Sequence, residues 1–335
     1  MKNIPTVSVC CITFNQENYI VQTIEGFLMQ KTSFPIEIII HDDASTDNTT
    51  KIVKEYAEKY PEVIVPIFQT ENQYSKRQGN VLTKFVFPRA SGKYIAICEG
   101  DDYWTDPQKL QRQVDFLEEN PDYGLVYTRV KIFEQNENAF LKTTLGRPSK
   151  SYESLFLTIG IPTLSTLFRR SFLKDYYTEV VPFAISWRMG DFPLWLFIAR
   201  HCKLHFIDDV TATYRMLPES ASHSKKLSAN LIFLKSGFEI RNFFALKYAV
   251  SQKVVKRYTM LHYLDTIYLA YLCNDVNHLQ NARDYFSKNN YYFLHFFMNF
   301  FDPGKKPRVS MQTIDKLMQI YVRYLKRMNV YVVNN

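Results

Sequence analysis

The 335-residue chain has only ten glycines, and the first of them is Gly26. That spacing leaves no G-x-G-x-x-G turn after the first apolar run, which excludes a dinucleotide-binding fold of that type. It also excludes a sugar-nucleotide pyrophosphorylase, whose glycine-rich N-terminal loop has no counterpart in "CCITFNQENYI". Gly92-Lys93 is followed by Tyr94 instead of Ser or Thr, so there is no Walker-type phosphate loop. An EF-hand beginning at Asp43 would need glycine at 48 and glutamate at 54, but the chain has Asn48 and Lys54.

Long apolar runs are also missing. A membrane span needs about 18 apolar residues, and the best candidate, "YYFLHFFMNFF" from Tyr291 to Phe301, is shorter and contains His295 and Asn299. The first residues, "MKNIPTVSVCCITFN", interrupt any apolar core with polar side chains and show no A-x-A cleavage pattern. The expectation is a cytoplasmic protein. The five cysteines, Cys10, Cys11, Cys98, Cys202 and Cys273, form no C-x-x-C pair. Three of them lie in apolar runs, which points to reduced, buried thiols and not to a disulfide frame or a zinc site.

What the chain does contain is a large apolar share, 46%, with 22% charged residues, the composition of a folded protein. The formal net charge of +8 is unevenly placed. Residues 1–223 carry 24 Lys and Arg against 27 Asp and Glu, whereas residues 224–335 carry 17 against 6. A basic, aromatic-rich end suits an anionic membrane surface, an anionic acceptor or a nucleic acid, or is simply a solvated helical face. No RNA- or DNA-binding motif accompanies it, so no nucleic acid is expected.

Through residue 135, short apolar runs alternate with helix-period segments. Residues 6–14, 36–41, 63–68, 94–98 and 124–133 read as strands. Ile20, Ile24, Phe27 and Leu28 form one helical stripe, and Ile52, Val53, Tyr56, Ala57 and Tyr60 another. Asp106-Pro107 reads as the start of a helix carrying Leu110, Val114 and Leu117. Such alternation predicts an α/β layer with a mainly parallel sheet. Further on, 163–171 and 204–215 read as strands and 191–200 as a buried helix; beyond 224 helical patterns dominate. Two domains are expected, 1–223 and a helical 224–335.

In an open α/β sheet, ligands bind beyond the carboxyl ends of the strands. Here those ends read "TFNQEN", "HDDASTDNT" and "EGDDYW". Asp47 or Thr46, and likewise Asp106, read as caps of the helices that follow them. Capping does not explain Asp42-Asp43 and Asp101-Asp102 at the tips of two strands, nor the crowd of Glu99, Asp101 and Asp102 directly after an apolar strand.

In order and spacing, "VSVCCITFNQENYI", "IEIIIHDDASTDNT" and "ASGKYIAICEGDDYW" resemble the N-terminal half of family 2 glycosyltransferases. The resemblance spans residues 5–215 and implies the GT-A fold, a Rossmann-like, mainly parallel sheet flanked by helices, with a nucleotide-sugar donor. It implies that Asp102 and Asp101 hold Mn²⁺ or Mg²⁺ at the place of the D-x-D motif. Glu99 stands where many relatives have Asp. Carboxylates joined by substrate phosphates suit such hard cations, and the cation would relieve the crowding. By the same resemblance Asp43 meets the nucleotide base, flanked by Thr13, Phe14, Asn15 and Glu17. Lys84 or Arg89 either faces phosphate or lies on a solvated helix face.

The resemblance also makes Asp191, in "WRMGDFPLWLF", the base that takes the acceptor's proton; partial burial would raise its pKa toward that role, while its place at a helix start also suits a cap. Tyr214 and Arg215, with Ser220, Ser222 and His223, resemble a segment near the donor diphosphate. Arg215 would neutralise that diphosphate, and His223 is either a metal or phosphate ligand or a surface histidine. The sequence thus predicts an inverting, metal-dependent glycosyltransferase of surface-polysaccharide assembly, taking a UDP-sugar first among donors. Its acceptor would be a glycan or a polyprenyl-diphosphate-linked sugar, and its tail would touch the inner face of the inner membrane. A non-catalytic sugar-nucleotide or glycan-binding module is the competing reading.

Overall fold

The computed structural model describes residues 4–76, 79–149, 151–158, 160–218 and 226–298, with Lys316. Four parallel strands, β1 (Val7–Thr13), β2 (Ile36–Asp42), β3 (Ile64–Phe68) and β4 (Tyr94–Ile97), run in the order β3-β2-β1-β4. Between them lie α1 (Ile20–Leu28), α2 (Thr49–Lys59), a single turn α3 (Gln73–Lys76) and a π-type turn Leu82–Val86. The sheet continues past β4 with β5 (Tyr103–Trp104), β6 (Tyr123–Glu134), β7 (Ala139–Leu145), β8 (Leu167–Arg169) and β9 (Lys203–Met216), in the order β4-β8-β6-β9-β5. There the pairing is mixed: β8 is antiparallel to both neighbours, while β6 and β9 run parallel.

The period-two pattern of β1 sorts its side chains between two layers. Val7, Val9 and Cys11 join Ile20, Ile24 and Phe27 of α1, Val53 of α2 and Leu110, Val114 and Leu117 of α4 (Lys109–Glu119). Cys10 joins the opposite layer with Ile39, Ile95 and Ile97, packed against α5 (Phe172–Glu179) and α6 (Phe192–His201). Each fully buried Leu, Ile or Phe contributes about 1.5–3 kcal/mol. Both faces of the strands are covered, which is why they read as nearly unbroken apolar runs. All five cysteines are free thiols, and burial pushes the pKa of Cys10, Cys11 and Cys98 far up, so they stay protonated.

Two local readings are corrected. The expected strand 163–171 is a 3-10 turn, Thr163–Ser165, followed by the three residues of β8. The hydroxyls of Ser165 and Thr166 donate back to the carbonyls of Pro162 and Thr163, at 2.8 Å each, and bend the chain. Helix α4 begins at Lys109 and not at Pro107. The Asp106 and Pro107 carbonyls accept from Gln30 Nε2 and Lys31 N at the end of α1, at 2.8 and 2.9 Å.

The chain divides into two compact units. One contains 1–225 and 232–258, the other 226–231 and 259–335. The first therefore extends past 223, the boundary expected from composition, because Ile240 and Phe244 of α7 (Leu227–Lys247) are fully buried in its core. In the second, the C-terminal part of α8 (Gln252–Leu272) packs Met260, Ile267 and Ala270 on Leu279, Ala282 and Phe286 of α9 (Val276–Lys288), followed by α10 (Tyr292–Phe297). No described helix is long and apolar enough to cross a membrane.

Candidate active site

The loops after β1 and β2 are latched together. Asn15 takes a left-handed φ of 52°, its amide donates to Ser45 Oγ at 2.9 Å, and its Oδ1 accepts from Thr46 N at 2.8 Å. Glu17 Oε2 accepts from the amide and side chain of Asn48, at 2.9 and 2.7 Å, while Asp47 Oδ2 accepts from Glu17 N at 3.1 Å. Thr13 donates to Gln16 Oε1 at 2.7 Å, and Phe14 is exposed. Asp43 is buried, with its two oxygens accepting from Gln73 N and Tyr74 N at 2.8 and 2.9 Å, at the start of α3. Of the residues expected near the nucleotide base, Thr13, Asn15, Glu17 and Asp43 are thus bonded to neighbouring loop residues, and none of them or Phe14 lines the cavity described below.

The third strand tip carries the carboxylates. After β4 the turn docks on β1, with Gly100 N donating to the Ile12 carbonyl at 3.0 Å. A side chain at 100 would collide with Gln16 and Thr13, so glycine is what lets the acidic turn lie this close to the first loop. Asp102 is 3% exposed, and its Oδ1 accepts from Arg215 N at 2.7 Å. Burial and repulsion from Asp101 and Glu99 hold its carboxyl well above the usual range. Burial also raises Asp101, and burial with the charges of Asp101 and Asp191 pushes Glu99 up to about 8.

Arg215 does not line the cavity next to these acids. Its guanidinium is buried between the rings of Tyr19 and Tyr103, at 4.7 and 5.1 Å, and donates to the Asp101 carbonyl at 2.8 Å and to Gln22 Oε1 at 2.7 Å. It holds the acidic turn through these bonds. Its neighbour Tyr214, on the other face of β9, does line the cavity.

That cavity, of about 400 Å³, brings Glu99, Asp101, Asp102 and Asp191 together, a volume typical of small-molecule sites. Asp191 caps α6, accepting from Phe192 N at 2.7 Å through Oδ1 and from the Thr163 hydroxyl through Oδ2. Each carboxylate oxygen has a second lone pair, so capping leaves acceptor capacity toward the cavity. Asn80, Trp187, Arg188 and Met189 complete the wall around Asp191. None of these four was singled out from the sequence, although three stand directly before Gly190-Asp191 in the segment quoted for its aspartate. Lys84 is exposed and lines a neighbouring cavity of about 230 Å³, and Arg89 is exposed. Ser220, Ser222 and His223 lie outside the described residues.

A divalent cation fits the donor chemistry here but not as a closed protein cage. Among the described residues no group of three or more His, Cys, Asp or Glu is gathered to hold a metal alone. Mg²⁺-type ions need only one or two carboxylates when substrate phosphates and water supply the rest. Asp101 and Asp102, both raised in pKa first by burial and Asp102 also by its acidic neighbours, are such a pair. Beneath them Lys109 is wholly buried, 4.2 Å from the Trp104 ring centre, and donates to Gln113 Oε1 at 2.8 Å. Burial pushes its pKa down to about 7, against a smaller opposing effect of Cys98.

The model of the family Glycosyl transferase family 2 matches residues 8–177, and the chain belongs to that family. An uncharacterized protein of Mycobacterium tuberculosis is 34% identical over 228 residues, 65% of this chain and 61% of that protein. The chain thus spans less than two thirds of that relative's length. The Escherichia coli protein WfgD, a UDP-Glc:alpha-D-GlcNAc-diphosphoundecaprenol beta-1,3-glucosyltransferase, is 26% identical over 224 residues, 65% of this chain and 80% of WfgD. Among solved structures, the mannosyltransferase PcManGT of Pyrobaculum calidifontis, in complex with GDP-Man and Mn²⁺, superposes with a TM-score of 0.55. That match has 16% identity and covers 97% of this chain and 84% of PcManGT. The fold is the GT-A fold expected from the sequence.

Proposed function

We propose that the protein is an inverting, metal-dependent glycosyltransferase. It moves a sugar from a nucleotide-sugar donor, a UDP-sugar first among candidates, to a hydroxyl of a glycan or lipid-linked acceptor in surface-polysaccharide assembly. The observation that carries this reading is one cavity lined together by Asp101, Asp102, Glu99 and Asp191. Family membership and the nucleotide-sugar substrate in WfgD's name support it.

Asp101 and Asp102 would hold the cation, and Arg215 keeps their turn in place. When bound, the cation supplies charge stabilisation for the leaving nucleoside diphosphate. The loops fixed by Asn15, Glu17 and Asp43 shape the nucleotide end. Asp191 accepts the acceptor hydroxyl's proton as that oxygen bonds to the anomeric carbon and the carbon–phosphate oxygen bond breaks, inverting the centre. The basic balance of residues 224–335 supports a role for this region at an anionic membrane surface on the cytoplasmic side; salt-sensitive sedimentation with anionic vesicles would test it, and equal recovery with neutral vesicles would refute it.

Asp191→Asn tests the base. Asn is as good a cap as Asp, so the variant should fold and bind nucleotide normally. Its turnover should drop about a hundred- to ten-thousand-fold, the range of general-base contributions. Unchanged turnover would remove Asp191 from the mechanism.

A further inference from the structure

The cavity holds four carboxylates but, among the described residues, one basic side chain, Arg188. The backbone presenting it is fixed on α7. Arg188 N donates to Ser236 Oγ at 2.7 Å, and the preceding Trp187 packs edge-on against Phe243 with ring centroids 5.3 Å apart. Met189 packs so closely on Gly237 that a Cβ there would lie 3.0 Å from its Cε. Arg129, Arg169, Arg215 and Arg241 all have guanidiniums held by side-chain or carbonyl oxygens. Among the described residues the guanidinium of Arg188 has no such partner, although Arg188 lines a cavity with Asp191, Glu99, Asp101 and Asp102.

An arginine that lines an acidic cavity from a fixed backbone, and that pairs with no carboxylate among the described residues, is matched to an anion that arrives with a ligand. Its planar fork suits phosphate. The donor's diphosphate already has its counter-charge in the cation at Asp101 and Asp102. Arg188 instead stands three residues before Asp191, the group that must reach the acceptor hydroxyl. We infer that Arg188 forms an anion subsite for a phosphate-bearing acceptor, so that the attacking sugar carries a phosphate or diphosphate. This rests on the transferase reading above.

The test fills the donor site of the full chain with UDP or GDP and Mn²⁺. It then titrates a panel of glucosyl, galactosyl and N-acetylglucosaminyl prenyl diphosphates, their sugar 1-phosphates, and the matching methyl glycosides. The prenyl and 1-phosphate arms separate a lipid-borne from a free phosphate. The expected result is at least tenfold tighter binding of a phosphate-bearing form than of its methyl glycoside. Arg188→Ala should abolish that preference and leave the nucleotide Kd within twofold, while Arg188→Lys keeps part of it. Three results overturn the inference: no phosphate preference in the wild type across the panel, a preference that survives Arg188→Ala, or an equal loss of nucleotide affinity, which would give the arginine to the donor. If the wild type binds no nucleotide, the transferase reading itself fails, which is a distinct result.

Discussion

Lys109 is the residue whose cost is most plainly electrostatic. It lies under the acidic turn with its ammonium against Trp104 and one hydrogen bond to Gln113. Its folded pKa of about 7 lies below the unfolded value of 10.5. Between those two values the unfolded chain binds the extra proton, so this residue makes stability rise with pH, by up to about 1.4 kcal/mol per unit. Below about 7 both states are protonated and the penalty is complete; above 10.5 it vanishes. The prediction is that the wild type gains stability relative to Lys109→Met as pH rises from 7 to 10, read from denaturant midpoints. A constant difference between the two proteins over that range would show that Lys109 is charged when folded.

Among the elements, the start of α6 depends on one close approach. A Cβ on Gly190 would lie 1.5 Å from Asn80 Nδ2, so no side chain fits while Asn80 keeps its place. Overpacking of this kind costs about 1–3 kcal/mol. Gly190→Ala should therefore lower the melting midpoint and, by shifting Asp191, the turnover, while adding Asn80→Ala should restore a good part of both. A single variant with wild-type stability and rate would show that the contact yields freely.

This contact also marks where the sequence stops being readable. Strands β1, β2 and β4 and the stripes of α1 and α4 were legible because period-two and period-3.6 burial is local. The acidic tips and Asp191 were legible because the order of the motifs matches a family. Arg188 and Trp187 reach the cavity on a segment that α7 supports, Asn80 comes to it from the turn before Leu82, and Arg215 packs at the acidic turn between Tyr19 and Tyr103. The bent stretch before β8 and the late start of α4 come from hydrogen bonds that run length does not encode.

At the scale of the molecule, the first unit needs residues 232–258. Ile240 and Phe244 are fully buried, and each such loss costs about 2–5 kcal/mol, against a total stability of about 5–15 kcal/mol. A chain ending at residue 223 should lose its cooperative thermal transition, whereas one ending at 258 should keep it, as circular dichroism would read. A cooperative transition in the shorter chain would make α7 an accessory.

The central claim, that the acidic cavity takes a nucleoside diphosphate through a divalent cation, is tested most directly by calorimetric titration of the full chain. UDP, GDP, CDP and dTDP would each be added with Mn²⁺ and again with EDTA. The account predicts saturable binding of at least one nucleotide that disappears with EDTA and with Asp102→Asn. Binding that is indifferent to EDTA would contradict the cation's role. No binding of any nucleotide by the folded protein would leave a fold without its donor, the non-catalytic module.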